Sequence, residues 1–261
     1  MSPGRGVRLG FELTGPEGAP VLVLSNSLGT TTAMWDDQLA ALQRRFRVLR
    51  YDHRGHGGSE VPAGPYTIDD LGLDLLGLLD DLGLERVSFC GLSLGGMVGM
   101  WLAARAPERL DRLALCCTSA RLNPDAFRER AARVRAGGMG PLVEEVTARW
   151  FTPGFRARAP GTVAGVAAML AATPEEGYAG CCEAIAAMDL RGDLAAIGAP
   201  TLVVAGADDP ATPLPHARAI AAAVPHARLA VVADAAHLAN IEQPQQVAGL
   251  LLDHLSGHPD D

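Results

Sequence analysis

Six short apolar runs punctuate the chain: "PVLVLSN" (20–26), "FRVLRYD" (46–52), "RVSFCG" (86–91), "RLALCCT" (112–118), "PTLVVAG" (200–206) and "ARLAVVA" (227–233). Near-continuous hydrophobicity and β-branched residues predict buried strands. The lack of strict polar alternation suits a parallel sheet covered on both faces. Helical periods fall between the runs. The clearest is "TIDDLGLDLLGLLDDLGL" (67–84). Thr67 is placed to cap it, Asp69 and Asp70 suit its positive end, and Leu71, Leu75, Leu78 and Leu82 share one face. Alternating strands and helices predict an α/β doubly wound domain with a mostly parallel central sheet.

Residues 121–195 break this rhythm, with Ala-rich helical patterns and no convincing strand. The expected organisation is therefore a core formed by 1–120 and 196–261, with a helical cap at 121–195 inserted between two strands. No internal repeat or low-complexity linker interrupts it.

Composition narrows the chemistry. Apolar residues make up 48% of 261 positions, enough for a sizeable core. No apolar run reaches the roughly 18 residues of a membrane span. The N-terminal "MSPGRGVRLG" lacks an apolar signal core, so a cytoplasmic location is expected. Cys90, Cys116, Cys117, Cys181 and Cys182 form an odd set with two adjacent pairs, which fits neither a disulfide framework nor a zinc site. They read as small buried apolar residues. The net charge of −8 argues against nucleic acid. All 22 basic residues are Arg and none is Lys, which removes Schiff-base, P-loop and Ser–Lys chemistry. Self-association into a homo-oligomer is left open.

One serine stands out. "Gly91-Leu92-Ser93-Leu94-Gly95" is G-x-S-x-G between an expected strand and an expected helix. The glycines allow a tight turn that exposes the hydroxyl at the carboxyl end of the sheet, where open α/β sheets bind ligands. A serine needs a base, and the base needs an acid to orient it. In such folds the chain order is Ser, acid, His. His216 and His226 sit beside prolines, and His254 and His258 lie in a C-terminal helix or tail. His237 follows the last expected strand in a loop, so it is the candidate base. Asp208 and Asp209 follow the preceding strand. Asp209, three residues past Gly206, takes the usual acid position, and Asp208 reads as a solvated turn residue. Asp234 and Glu242 are too near His237 in sequence to orient it from a separate loop. The backbone N–H groups of Leu94, after the nucleophile, and of Leu28, in "SNSLGTT", are the candidate oxyanion donors.

"YDHRGHGGS", "CGLSLGGMVG", "GADDPATP" and "AAHLANIEQP" resemble the α/β-hydrolase superfamily. Within it, "NSLGTTTAMWDDQ", "RAGGMGPLVEEVTARWFTPGF" and "EEGYAGCCEAIAAMDLR" are similar to 3-oxoadipate enol-lactonases of the β-ketoadipate pathway. The likeness covers nearly the whole chain. It implies attack of Ser93 on a lactone carbonyl with no metal or organic cofactor. It also implies a small anionic substrate whose carboxylate needs a cation. Between 121 and 158 the chain carries eight Arg against four acids. Arg149 and Arg133 lead as carboxylate contacts, with Trp150 as pocket wall or cap core. Asp52-His53-Arg54-Gly55-His56-Gly57 reads as a structural turn. The alternatives are another small-ester hydrolase or cofactor-free perhydrolase of the same fold, and a non-catalytic lactone receptor.

Overall fold

A computed structural model describes residues 6–257. Its strands are β1 (Phe11–Thr14), β2 (Val21–Ser25), β3 (Arg47–Tyr51), β4 (Val87–Leu92), β5 (Leu110–Cys116), β6 (Thr201–Gly206) and β7 (Arg228–Val232). They form one sheet in the order β1-β3-β2-β4-β5-β6-β7. The pairs from β3 to β7 are parallel, whereas β1 joins β3 antiparallel. Each of the six expected strands is present, displaced by a residue or two at its ends. The addition is β1, a four-residue edge strand with three exposed positions. Such a strand has too little apolar patterning to be read from sequence.

The helices are α1 (Asp36–Leu42), α2 (Ile68–Asp81), α3 (Leu94–Arg105), α4 (Pro124–Gly137), α5 (Gly140–Trp150), α6 (Pro153–Arg158), α7 (Pro160–Ala171), α8 (Glu175–Ala187), α9 (Leu214–Ala223), α10 (Ala239–Glu242) and α11 (Pro244–Leu255). Thr67 caps α2 in a capping box with Asp70, and Leu71, Leu75 and Leu78 are buried. Helices α1 and α11 pack on each other, as do α2 and α3. β4 and β6 are buried at every position, as strands covered on both faces must be.

Two features of this frame prepare the site. First, the chain leaves β2 for β3 on one side and then crosses to β4 on the other. The carboxyl ends of β2 and β4 therefore flank the topological switch point, where this architecture opens a crevice. Second, α4 to α8 all fall between β5 and β6. Among the described residues no helix is long and apolar enough to cross a membrane. All five cysteines are buried free thiols, and burial pushes the Cys182 thiol up to about 12.

Candidate active site

Ser93 occupies the turn between β4 and α3 with φ 55 and ψ −112. A non-glycine residue there carries strain on the order of 1–3 kcal/mol. The backbone holds it in place: its N–H donates to the Cys116 carbonyl at 2.9 Å, and its carbonyl accepts from Thr118 Oγ1 at 2.7 Å. Gly95 lets the turn close against β2, because a Cβ there would lie 2.2 Å from the Ser25 carbonyl oxygen. Gly95→Ala is accordingly expected to cost about 1–3 kcal/mol or more from overpacking. Thermal unfolding measures it, and an unchanged midpoint would contradict so close an approach.

His237 lies past β7 in a loop fixed at several points. The Ala236 N–H donates to Glu242 Oε1 at 2.7 Å, and the Leu238 N–H donates to the Trp150 carbonyl at 3.1 Å. Glu242 also accepts from the Thr152 N–H and hydroxyl, so this buried carboxylate ties the loop to the start of α6 rather than to the imidazole. Gly206 permits the loop to lie over the end of β6, since a Cβ would meet the Ala236 oxygen at 2.2 Å.

Imidazole and carboxylate meet directly, with His237 Nδ1 at 2.9 Å from Asp209 Oδ2. Asp209 is buried and accepts three further bonds, from the N–H groups of Ala211 and Thr212 and from the Thr212 hydroxyl. Burial alone would raise this carboxyl. The charge of His237 and the bonds from His237 and Thr212 outweigh it and hold the group down to about 2. It is therefore an anion at any working pH, and it orients His237 with its proton on Nδ1. Asp208 and Asp234 are exposed. Of the other histidines, His216 bonds Ser119 Oγ at 2.7 Å, His226 is exposed, and His254 is buried against the Leu113 carbonyl at 2.9 Å. His258 lies outside the described residues.

Ser93 and His237 line one cavity of about 180 Å³, together with Leu28, Phe127, Arg130, Arg149, Trp150 and Tyr178. Trp150 is both buried and part of this wall. The N–H groups of Leu28, which lines the cavity, and of Leu94, which follows Ser93 in the chain, have no hydrogen-bond partner among the described residues, whereas the neighbouring amides of Ser27, Gly29, Ser93 and Gly95 are all engaged. Among the described residues no group of three or more His, Cys, Asp or Glu side chains is placed to hold a metal ion.

The arginines of 121–158 divide sharply. Arg121, Arg128, Arg133 and Arg135 pair with carboxylates on the surface. Arg133, expected as a carboxylate contact, instead bonds Glu145 at 2.9 Å and is not part of the cavity lining. Arg130, one turn earlier, lines the cavity. Asn123, which caps α4, and Phe127 and Arg130 within it recur at helical spacing and all line the cavity, whereas Arg133 falls off that face. This phase is readable in the sequence once Phe127 is taken as the marker of the inner face. Arg130 and Arg149 are half-buried, and neither has a carboxylate partner among the described residues. The lining contains no acidic side chain at all.

A family model described as the α/β hydrolase fold matches residues 20–244. The chain belongs to the α/β hydrolases. Among curated members of the family, 3-oxoadipate enol-lactonase 2 of Acinetobacter baylyi is 42% identical over 240 residues, covering 92% of this chain and 90% of that protein. The crystal structure of the enol-lactonase from Burkholderia xenovorans is 44% identical, with a TM-score of 0.95 over 97% of this chain and 98% of that one. A thermophilic esterase from Thermogutta terrifontis, solved with malate bound, is 34% identical, with a TM-score of 0.90 over 96% of this chain and 93% of that one. This α/β hydrolase is thus a hydrolytic enzyme, and the fold anticipated from its alternating strands and helices is the fold it has.

Proposed function

We propose that this α/β hydrolase opens the enol-lactone of 3-oxoadipate to 3-oxoadipate, a step of the β-ketoadipate route of aromatic catabolism. The observation that carries the reading is the cavity's charge. Two half-buried guanidiniums without carboxylate partners face a cavity free of acids, in a protein of net charge −8. Such a site favours a small anion. The enol-lactonase names of the two similar proteins supply the anion's identity.

In this reading Ser93 Oγ attacks the ring carbonyl while His237 Nε2 takes its proton and Asp209 steadies the imidazolium. The Leu28 and Leu94 N–H groups hold the tetrahedral oxyanion. Collapse expels an enolate, a better leaving group than a simple alkoxide; the His237 imidazolium returns its proton to it, and the resulting enol tautomerises to the ketone. Water, deprotonated by His237, then frees the acyl group from Ser93.

The carboxylate of the substrate is assigned to Arg130 and Arg149. A hydrogen bond to a charged group is worth about 1.5–3 kcal/mol, so Arg130→Leu is expected to raise KM by roughly ten- to a hundred-fold, with a smaller change in kcat. Arg149→Ala is expected to act in the same sense, and Arg133→Ala to leave both constants unchanged. Steady-state kinetics on the purified enol-lactone read all three. Normal KM in both the Arg130 and Arg149 variants would move the contact elsewhere. A second reading, hydrolysis of small esters in general, draws on the likeness to the Thermogutta esterase. Comparable kcat/KM on a neutral p-nitrophenyl ester would favour it.

A further inference from the structure

The turn after β2 commits its amides almost completely. The Ser27 N–H donates to Met34 Sδ at 3.3 Å, Gly29 to His56 Nε2 at 3.0 Å, Thr30 to the Ser27 carbonyl at 3.2 Å, Thr31 to Met169 Sδ at 3.1 Å, and Thr32 to Asp52 Oδ1 at 2.8 Å. Across residues 27–32 Leu28 is the exception, its N–H having no partner among the described residues. Thioether sulfur is a weak acceptor. Two firm bonds therefore fix the turn beside Leu28: the Ser27 carbonyl, in one peptide plane with the Leu28 N–H, accepts from the Thr30 N–H and, at 2.8 Å, from the Thr30 hydroxyl, and the Gly29 N–H is held by the imidazole of His56.

His56 is fully buried. An amide N–H can only donate, so Nε2 carries no proton, and Nδ1–H donates to the Arg54 carbonyl at 3.2 Å. Arg54 is itself clamped by Asp74 through two bonds, at 2.6 and 2.7 Å. On its other side Gly29, at φ 77, abuts the helices between β5 and β6, where a Cβ would lie 2.5 Å from Leu170 Cδ1. The turn is thus gripped from both sides, and on one side Gly29 is held by His56, whose ring is held by the Arg54 backbone while the Arg54 side chain is anchored by Asp74.

We propose that His56 is a positioning residue for the oxyanion site: by accepting from the Gly29 N–H it holds the turn so that the adjacent Leu28 N–H stays uncommitted at the cavity. The proposal rests on the reading of Leu28 as an oxyanion donor. It gives the second histidine of "YDHRGHGGS" a role in the chemistry without contact with substrate. A misplacement of about 1 Å in such a donor can cost a hundred-fold in rate.

Two substitutions in the full-length protein separate positioning from packing. His56→Asn keeps a donor for the Arg54 carbonyl but is too short to reach Gly29. His56→Gln brings an amide oxygen to the level of Nε2. The readouts are kcat and KM on p-nitrophenyl acetate and on the enol-lactone, inhibition by a trifluoromethyl ketone, and the thermal unfolding midpoint. His56→Asn is expected to lower kcat about ten- to a hundred-fold and to weaken trifluoromethyl ketone binding by a similar factor, with KM changed by about twofold or less. His56→Gln is expected to restore most of the loss. Wild-type kcat in His56→Asn would overturn the proposal. So would equal losses in both variants in step with a lowered unfolding midpoint. A protein that ignores the enol-lactone but shows this pattern on p-nitrophenyl acetate would sink the lactone reading and leave His56 in its role.

Discussion

Ser93→Ala is expected to lower kcat on the enol-lactone by about 10⁴- to 10⁶-fold, the scale seen when a serine nucleophile is removed from a triad. The fold should survive it. The turn is held through the backbone of residue 93, by the bonds to the Cys116 carbonyl and from the Thr118 hydroxyl, and alanine keeps both. Stability should therefore change by less than about 1 kcal/mol. What remains of the rate would come from the oxyanion donors and from binding. Loss of the lactone's ultraviolet absorbance measures turnover, and circular dichroism checks the fold. Near-normal turnover in this variant would remove Ser93 as nucleophile.

Asp209→Asn is expected to cost about 10⁴-fold in kcat with little change in KM. The four partners of this carboxylate all act as donors toward it: the Ala211 and Thr212 amides, the Thr212 hydroxyl and His237 Nδ1. An asparagine has one oxygen to offer them. Its oxygen satisfies the two amides, so its NH₂ group must face the hydroxyl and the imidazole. The hydroxyl can rotate to accept. The imidazole can accept at Nδ1 only by moving its proton to Nε2, the tautomer that cannot deprotonate Ser93. The loss is thus one of proton inventory as well as charge. Because Asp209 titrates near 2, activity lost between pH 7 and pH 4 belongs to other groups. A loss of less than tenfold in Asp209→Asn would contradict the assigned acid.

The parallel strands and their order of appearance were legible because strands covered on both faces leave near-continuous apolar runs. Edge strand β1 was not, since Phe11–Thr14 is short and mostly exposed. The G-x-S-x-G turn was legible because its glycines answer to contacts that any side chain would violate, at Gly95 against Ser25 above all. The cationic wall was harder. The arginine-rich segment is plain in the sequence, but which of its arginines face inward depends on helical phase and on the surface acids within reach of each. Arg133 pairs with Glu145 across the α4–α5 connection, a contact that sequence separation alone does not reveal. In the sequence His56 reads only as part of a turn, because its partner, Gly29, stands 27 residues away on another strand's loop. Long-range backbone bonds leave no periodic trace.

The most direct measurement is steady-state turnover of purified 3-oxoadipate enol-lactone by the unmodified protein, set beside the same lactone with its side-chain carboxylate masked as a methyl ester. Many turnovers per enzyme are expected on the free acid, with kcat/KM lower by at least about tenfold on the masked compound and the loss carried mainly by KM. Absence of turnover on the free acid, or equal kcat/KM on both compounds, would contradict a lactonase that holds its substrate by the carboxylate.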